Sequence, residues 1–175
     1  LPIWRSRLKH GIVWEWDKPL VEEGRLTVAE LLRQNGYRTA CLGKWHLGWD
    51  WPMKPGSRSF PDVEPGARRS TEETLELEQC IDFEGRIGGG PVDRGFDTYF
   101  GVDVPNFPPY TWIENDRIVD QPTTMKPAEM YGHAGTMKPG WKLEEMIPEF
   151  TRRAVKLVED QAAQPADSRK PYFLF

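Results

Sequence analysis

Gly36-Tyr37-Arg38-Thr39-Ala40-Cys41-Leu42-Gly43-Lys44-Trp45-His46-Leu47-Gly48 is the stretch from which the fold is read. Asn35-Gly36 is a helix stop, because Gly tolerates the left-handed conformation that closes a helix. Upstream, Thr27-Val28-Ala29-Glu30 fits a capping box, so a short helix with Val28, Leu31 and Leu32 as its apolar stripe is expected. Downstream, Tyr37 to Leu42 carries β-compatible residues, Thr39 and Cys41 on one side and Arg38, Ala40 and Leu42 on the other, as in a strand entering an α/β sheet. The unit is helix, turn, strand.

A second such unit closes the chain. Pro148 suits the first turn of a helix running to about Ala163, with Phe150, Ala154, Leu157 and Val158 on one face and Arg152, Arg153, Lys156 and Glu159 toward water. A polar connection then leads into the apolar run Tyr172 to Phe175, giving the alternation of a parallel sheet. Between the units, Trp49 to about Gly90 is rich in Pro and Gly, with a helix expected only around Thr71 to Leu77. This excursion reads equally as a binding or lid element and as an insertion without a role. Gly95-Phe96-Asp97-Thr98-Tyr99-Phe100-Gly101 reads as a packing corner, and Tyr110 to Val119 as a hairpin turning at Glu114 to Arg117. The near-repeat Thr124 to Pro127 and Thr136 to Pro139 is too short to signal a structural repeat.

Composition narrows the partners. Twenty-three Lys and Arg against 27 Asp and Glu give a net charge of −4 with no basic block, which excludes strong attraction to nucleic acid or an anionic membrane. No run approaches the roughly twenty apolar residues of a membrane span. Cys41 and Cys80 form no C-x-x-C pair, so neither a disulfide framework nor a structural zinc site is expected. The Leu1 start and the Pro171 to Phe175 finish read as cuts, making the chain an expected internal piece of a larger domain.

Gly43-Lys44-Trp45-His46-Leu47-Gly48 lies at the carboxyl end of the expected strand, where open α/β sheets hold ligands. If strand geometry continues, Lys44 and His46 project to one side and Trp45 to the other. An ammonium beside an imidazole suits an oxyanion, the Lys supplying charge and the His exchanging a proton near neutral pH. From residue types alone, a solvated Lys and a packed His explain the pattern as well.

The Gly36 to Gly48 stretch resembles the second signature of the formylglycine-dependent sulfatases nearly residue for residue. The resemblance extends to Thr27 through Leu32, to Gly95 through Gly101 and to Lys170 through Phe175, and leaves out the Trp49 to Gly90 excursion. It implies an alkaline-phosphatase-like α/β fold, a mixed sheet flanked by helices and incomplete here, with residues 1–175 forming part of a single catalytic domain. It implies hydrolysis of a small-molecule or carbohydrate sulfate ester by a formylglycine nucleophile beside a bound calcium. Lys44 matches the lysine that contacts the sulfate and the nucleophile, and His46 the histidine bonded to the nucleophile's hydrate. Lys44 is also expected to favour neutral His46.

The departures matter equally. Neither Cys41 nor Cys80 lies in the C-x-P-S-R type maturation motif, and the family's calcium ligands have no counterpart, so no metal ligand is assigned and the chain alone is expected to be inactive. Export to the periplasm or secretion follows from the resemblance. The alternatives are a phosphoester or phosphonate hydrolase of the same superfold, and a non-catalytic anion-binding relative. Asp103, Asn106 and Tyr110 are expected in a polar loop, either lining the leaving-group side or merely solvated; His10 and His133 are expected to be exposed.

Overall fold

The computed structural model describes residues 7–58 and 62–175. The charged opening Leu1 to Ser6 and Pro61 of the excursion lie outside the described residues.

The Asn35-Gly36 stop and the strand after it form as the sequence dictates. Helix α1 spans Val28–Gln34, and the Thr27 hydroxyl caps it by accepting the Glu30 amide at 3.0 Å. The reciprocal half of the expected box is missing: Glu30 turns instead to Arg33 at 2.7 Å and Gln34 at 2.9 Å. The expected apolar stripe is corrected too. Val28 and Leu31 face outward, and the helix rests on the sheet through Ala29, which is small enough for close approach.

Strand β1 spans Arg38–Lys44, two residues beyond the expected end. It pairs in parallel with β2, Thr98–Val102, and with β7, Tyr172–Leu174. An antiparallel hairpin, β3 at Ile113–Glu114 and β4 at Arg117–Ile118, extends the sheet to the order β4-β3-β2-β1-β7. The hairpin turn is tighter than expected, only Asn115-Asp116, with Asn115 in the left-handed region at φ 56°. The result is the expected mixed sheet with flanking helices. The near-repeat pairs with itself: β5, Thr124–Met125, lies antiparallel to β6, Thr136–Met137.

Helix α2 spans Thr71–Gln79 and opens with a complete capping box between Ser70 and Glu73. Helix α3 spans Met146–Ala162. Its Phe150 and Leu157 are half-buried as expected, but Val158 is exposed, and Arg153 is drawn in rather than solvated. The Arg153 guanidinium sits 3.4 Å over the Phe100 ring and bonds Glu114 at 2.9 Å, a cation on a π face with its charge still paired.

Thr98 to Gly101, expected as a packing corner, runs instead as part of strand β2, while its aromatics fill the core as expected: Phe96, Tyr99 and Phe100 are buried. The excursion packs into the same core. Trp49, Trp51, Leu77, Ile81 and Ile87 join Cys41, Tyr99 and Ile113 in one apolar cluster. A smaller cluster gathers Val102, Tyr110, Met137, Trp141 and Met146 under α3. Among the described residues no helix is long and apolar enough to cross a membrane.

Candidate functional site

Two parallel strands end together. Beyond Lys44 and Val102 the ladder runs on by two bonds, the Trp45 amide donating to Val102 carbonyl at 3.1 Å and the His46 amide to Asp103 carbonyl at 3.2 Å. The buried Tyr99 hydroxyl braces this end against the carbonyls of Gly43 and Val102 at 3.0 and 2.9 Å. Gly101 leaves room for the brace, since a Cβ there would run into the Gly43 carbonyl oxygen.

The simple alternation expected for Lys44 and His46 does not persist. His46 sits at φ 54°, so the backbone leaves strand geometry at that residue. Its ring is aimed by other contacts. The imidazole Nε2 donates to the Val13 carbonyl at 2.9 Å, and Phe107 meets the ring edge-on with centroids 5.9 Å apart. A carbonyl only accepts, so Nε2 carries the hydrogen, and a neutral ring keeps Nδ1 as its free acceptor. Burial disfavours the imidazolium and pulls the His46 pKa down; the Lys44 charge acts in the same direction, and the Val13 bond opposes both. The expected influence of Lys44 on His46 is therefore present, as the smaller partner of burial.

Lys44 is exposed at the end of β1. Among the described residues no hydrogen bond or ion pair engages its ammonium. The arrangement is a free cation beside a half-buried neutral imidazole with one open acceptor.

The segment that supplies Val13 is a turn held from several sides. Trp16 adopts φ 62°, and Asp17 accepts the Trp14 amide at 2.9 Å and pairs with Arg69 at 2.9 Å in a nearly buried ion pair. Leu20 and Trp49 amides bond Leu47 and Asp17 carbonyls at 2.8 and 3.0 Å, lacing this segment to the loop after His46. Gly48, at φ 78°, permits the approach, because a Cβ would meet the Lys18 carbonyl.

Three polar residues depart from the solvated loop expected of them. Asp103 is 5% exposed and accepts the Trp49 indole hydrogen at 3.0 Å. Burial, with help from Glu15 and Asp17, pushes its pKa up to about 7. Tyr110 is buried, with its hydroxyl shared between the carbonyls of Asn106 and His133 at 3.0 and 2.7 Å. His133 is not simply exposed. Its Nδ1 meets the carboxylate of Glu15, itself 5% exposed, and its ring lies on Phe107, with centroids 4.7 Å apart, and Trp14. Asn106 enters through its carbonyl, and His10 remains exposed, 3.8 Å from Glu64. No spacing in the sequence announces Glu15 or Val13 as neighbours of this site, because the contacts cross 118 and 33 residues.

Two cavities lie beside this centre. One of about 470 Å³ is lined by Trp16, Trp51, Lys18, Lys54 and Arg69, and one of about 280 Å³ by Val13, Asp17, Lys18 and Arg69; neither is lined by Lys44 or His46. Cys41 is buried, with its thiol pushed up to about 12, and is inert as a nucleophile. Among the described residues no cluster of three or more His, Cys, Asp and Glu is arranged to hold a metal.

Comparison with known proteins finds relatives in sequence and in fold. The chain is 29% identical to arylsulfatase G of Mus musculus over 159 residues and 28% identical to that of Rattus norvegicus over 158, in each case across 85% of this chain. A 34-residue stretch is 53% identical to arylsulfatase G of Canis lupus familiaris, covering 19% of this chain and 6% of that protein. The chain spans about a quarter (24%) of the length of the mouse and rat relatives. A solved sulfatase chain of Bacteroides thetaiotaomicron, described under the metabolism of multiple glycosaminoglycans, superposes with a TM-score of 0.62 at 19% identity over 96% of this chain and 36% of its own. That likeness shows the alkaline-phosphatase-like fold. No protein-family model matches the chain. In sequence the chain is similar to the mouse and rat arylsulfatases G, and in fold it is similar to the solved sulfatase chain.

Proposed function

We propose that the chain forms part of the single catalytic domain of a sulfuric ester hydrolase, acting on a small-molecule or carbohydrate sulfate ester. The observation that carries this is the pairing of an unengaged Lys44 ammonium with a neutral His46 whose Nδ1 is open, both at the carboxyl ends of paired parallel strands. The similarity to curated arylsulfatases supports the same reading.

In this reading Lys44 binds the sulfate, and its fixed charge offsets the charge that builds on the oxygens of the transferring group. His46 takes a hydroxyl proton at Nδ1, and the Val13 bond at Nε2 holds that tautomer. The formylglycine implied by the resemblance would be supplied from outside this chain and would provide the attacking hydroxyl, since neither Cys41 nor Cys80 fits the role. Calcium, implied likewise, finds no fit among the described residues: Glu15 is spent on His133, Asp17 on Arg69, and Asp103 on Trp49. The reading carries with it export to the periplasm or secretion.

The test is kinetic, in the full-length protein. Lys44→Ala and His46→Ala should each lower kcat on an aryl sulfate by at least about a hundredfold, while thermal melting moves little. Unchanged kinetics in both variants, or turnover of the matched aryl phosphate in place of the sulfate, would overturn it.

A further inference from the structure

The sequence offers no reason for a histidine 87 residues beyond His46 to matter to it, yet the two imidazoles meet opposite parts of one ring system. Phe107 meets His46 edge-on and lies against His133, while Trp14 stacks on both Phe107 and His133. Behind the rings runs a chain of polar contacts: His133 Nδ1 to the Glu15 carboxylate, then two residues of backbone to the Val13 carbonyl, then His46 Nε2. The Tyr110 hydroxyl fixes the far end by bonding the His133 carbonyl at 2.7 Å.

Glu15 is buried and, among the described residues, its carboxylate answers to His133 alone by hydrogen bond. A buried carboxylate is costly unless paired, so this bond fixes where residue 15, and with it residue 13, can lie. We infer that His133, acting through Glu15, is a positioning residue for His46: the pair holds the Val13 carbonyl against Nε2–H and thereby selects the tautomer that leaves Nδ1 open. The catalytic consequence rests on the function proposed above; the tautomer does not. Second partners of this kind orient a histidine and fix its proton without touching the reacting atoms.

The groups facing His46 are few. Lys44 lies two residues before it, Asp103 at the end of β2 receives its amide, Glu15 follows the Val13 acceptor, and His133 lies across Phe107. Arg68 sits over the outer Trp14 ring at 4.9 Å. Of these contacts, the Val13 bond favours the imidazolium and Lys44 disfavours it. Releasing Val13 therefore frees Nε2, mixes the tautomers and lowers the pH at which His46 loses its proton.

The experiment uses the full-length protein, ¹⁵N-labelled at histidine, and compares the parent with His133→Leu, His133→Asn and Glu15→Gln. In the parent the His46 shifts should report a protonated Nε2 and an unprotonated Nδ1. His133→Leu should give a tautomer mixture, a kcat on an aryl sulfate lower by about ten- to a hundredfold, a KM within about twofold, and an acid limb moved to lower pH. His133→Asn, which returns an N–H donor near the Nδ1 position, should restore most of each. A folded His133→Leu protein with the parental tautomer and acid limb would overturn the inference, even with a lower melting temperature, since that is what a purely structural histidine would give. Should His133→Leu not fold, Glu15→Gln decides, because it keeps the volume but weakens the bond; a parental tautomer ratio and acid limb there overturn the inference equally. If the parent turns over no sulfate ester, the proposed function fails, and the tautomer readout still judges His133.

Discussion

At residue scale, the chemistry depends on which charges are tolerated under the strand ends. Asp103 holds its proton in the folded chain up to about pH 7, whereas an exposed aspartate releases it near 3.8. Between these values the folded state binds the extra proton, so stability falls as pH rises through that window and levels off above it. Asp17 and Glu78 are raised as well, chiefly by burial, and act in the same sense. His46 acts oppositely, since its lowered pKa costs stability below its usual 6.5. Asp103→Asn separates the two. An amide oxygen still accepts the Trp49 indole hydrogen and carries no charge to bury, so the variant should gain up to about 4 kcal/mol over the parent at pH 8 and little at pH 4. Melting temperatures across that range check it; equal parent and variant curves at both ends would show that Asp103 is not strained by ionisation. Spacing and resemblance singled out Lys44 and His46 as candidates, but the left-handed turn at His46 had no local mark. The burial of Asp103 was not legible either, because a polar residue in a Pro-rich loop has no local mark of the indole that covers it.

At the scale of elements, the decisive join is between the ends of β1 and β2. β1 was legible from its β-compatible residues after the Asn35-Gly36 stop, and its parallel pairing with β7 followed from the alternation of helix and strand; β2 was not, because glycine-bracketed aromatics read as a packing corner. The end of β1 was not legible either, because Lys44 stays in strand geometry only by pairing with Val102, which lies far along the chain. The capping of α1 was half legible. Thr27 caps as its sequence position requires, but Glu30 has closer partners within its own helix. Gly101→Ala tests the join directly. Its Cβ would meet the Gly43 carbonyl and the Tyr99 hydroxyl, both fixed by the ladder, so neither can yield cheaply. A loss of about 2–4 kcal/mol is expected from urea unfolding. Gly36→Ala is the control. Gly36 has φ 84° and nothing within 4 Å of an added Cβ, so its cost should stay near 1 kcal/mol, that of the left-handed backbone alone. Equal costs at the two positions would mean that the strand ends are not closely packed.

At the scale of the whole molecule, the excursion is where sequence and structure part most. Pro and Gly in 49–90 announced irregular backbone around one helix, and left a binding or lid element and an insertion without a role as equal readings. The packing was not announced. Trp49 is 1% exposed and lies 5.7 Å from the buried Tyr99 ring, while Ile81 is fully buried in the same cluster. Backbone bonds tie the irregular parts together, the Asp82 amide to Pro52 carbonyl at 2.8 Å and the Asp50 and Gly88 amides to each other's carbonyls at 2.8 and 2.9 Å. Such ties are set by pairs distant in sequence, which is why no periodicity betrays them. The excursion therefore floors the sheet that presents Lys44 and His46. Ile81→Ala should cost about 2–5 kcal/mol, close to the cost of Ile113→Ala in the sheet itself, with both read from denaturant midpoints at constant slope. An independently flapping segment would give a near-zero change at Ile81 and the full loss at Ile113. Because both side chains belong to one cluster, the double variant should also depart from the sum of the singles. Strict additivity would mean that the excursion and the sheet fold as separate units, and the platform under the candidate site would then end at β2.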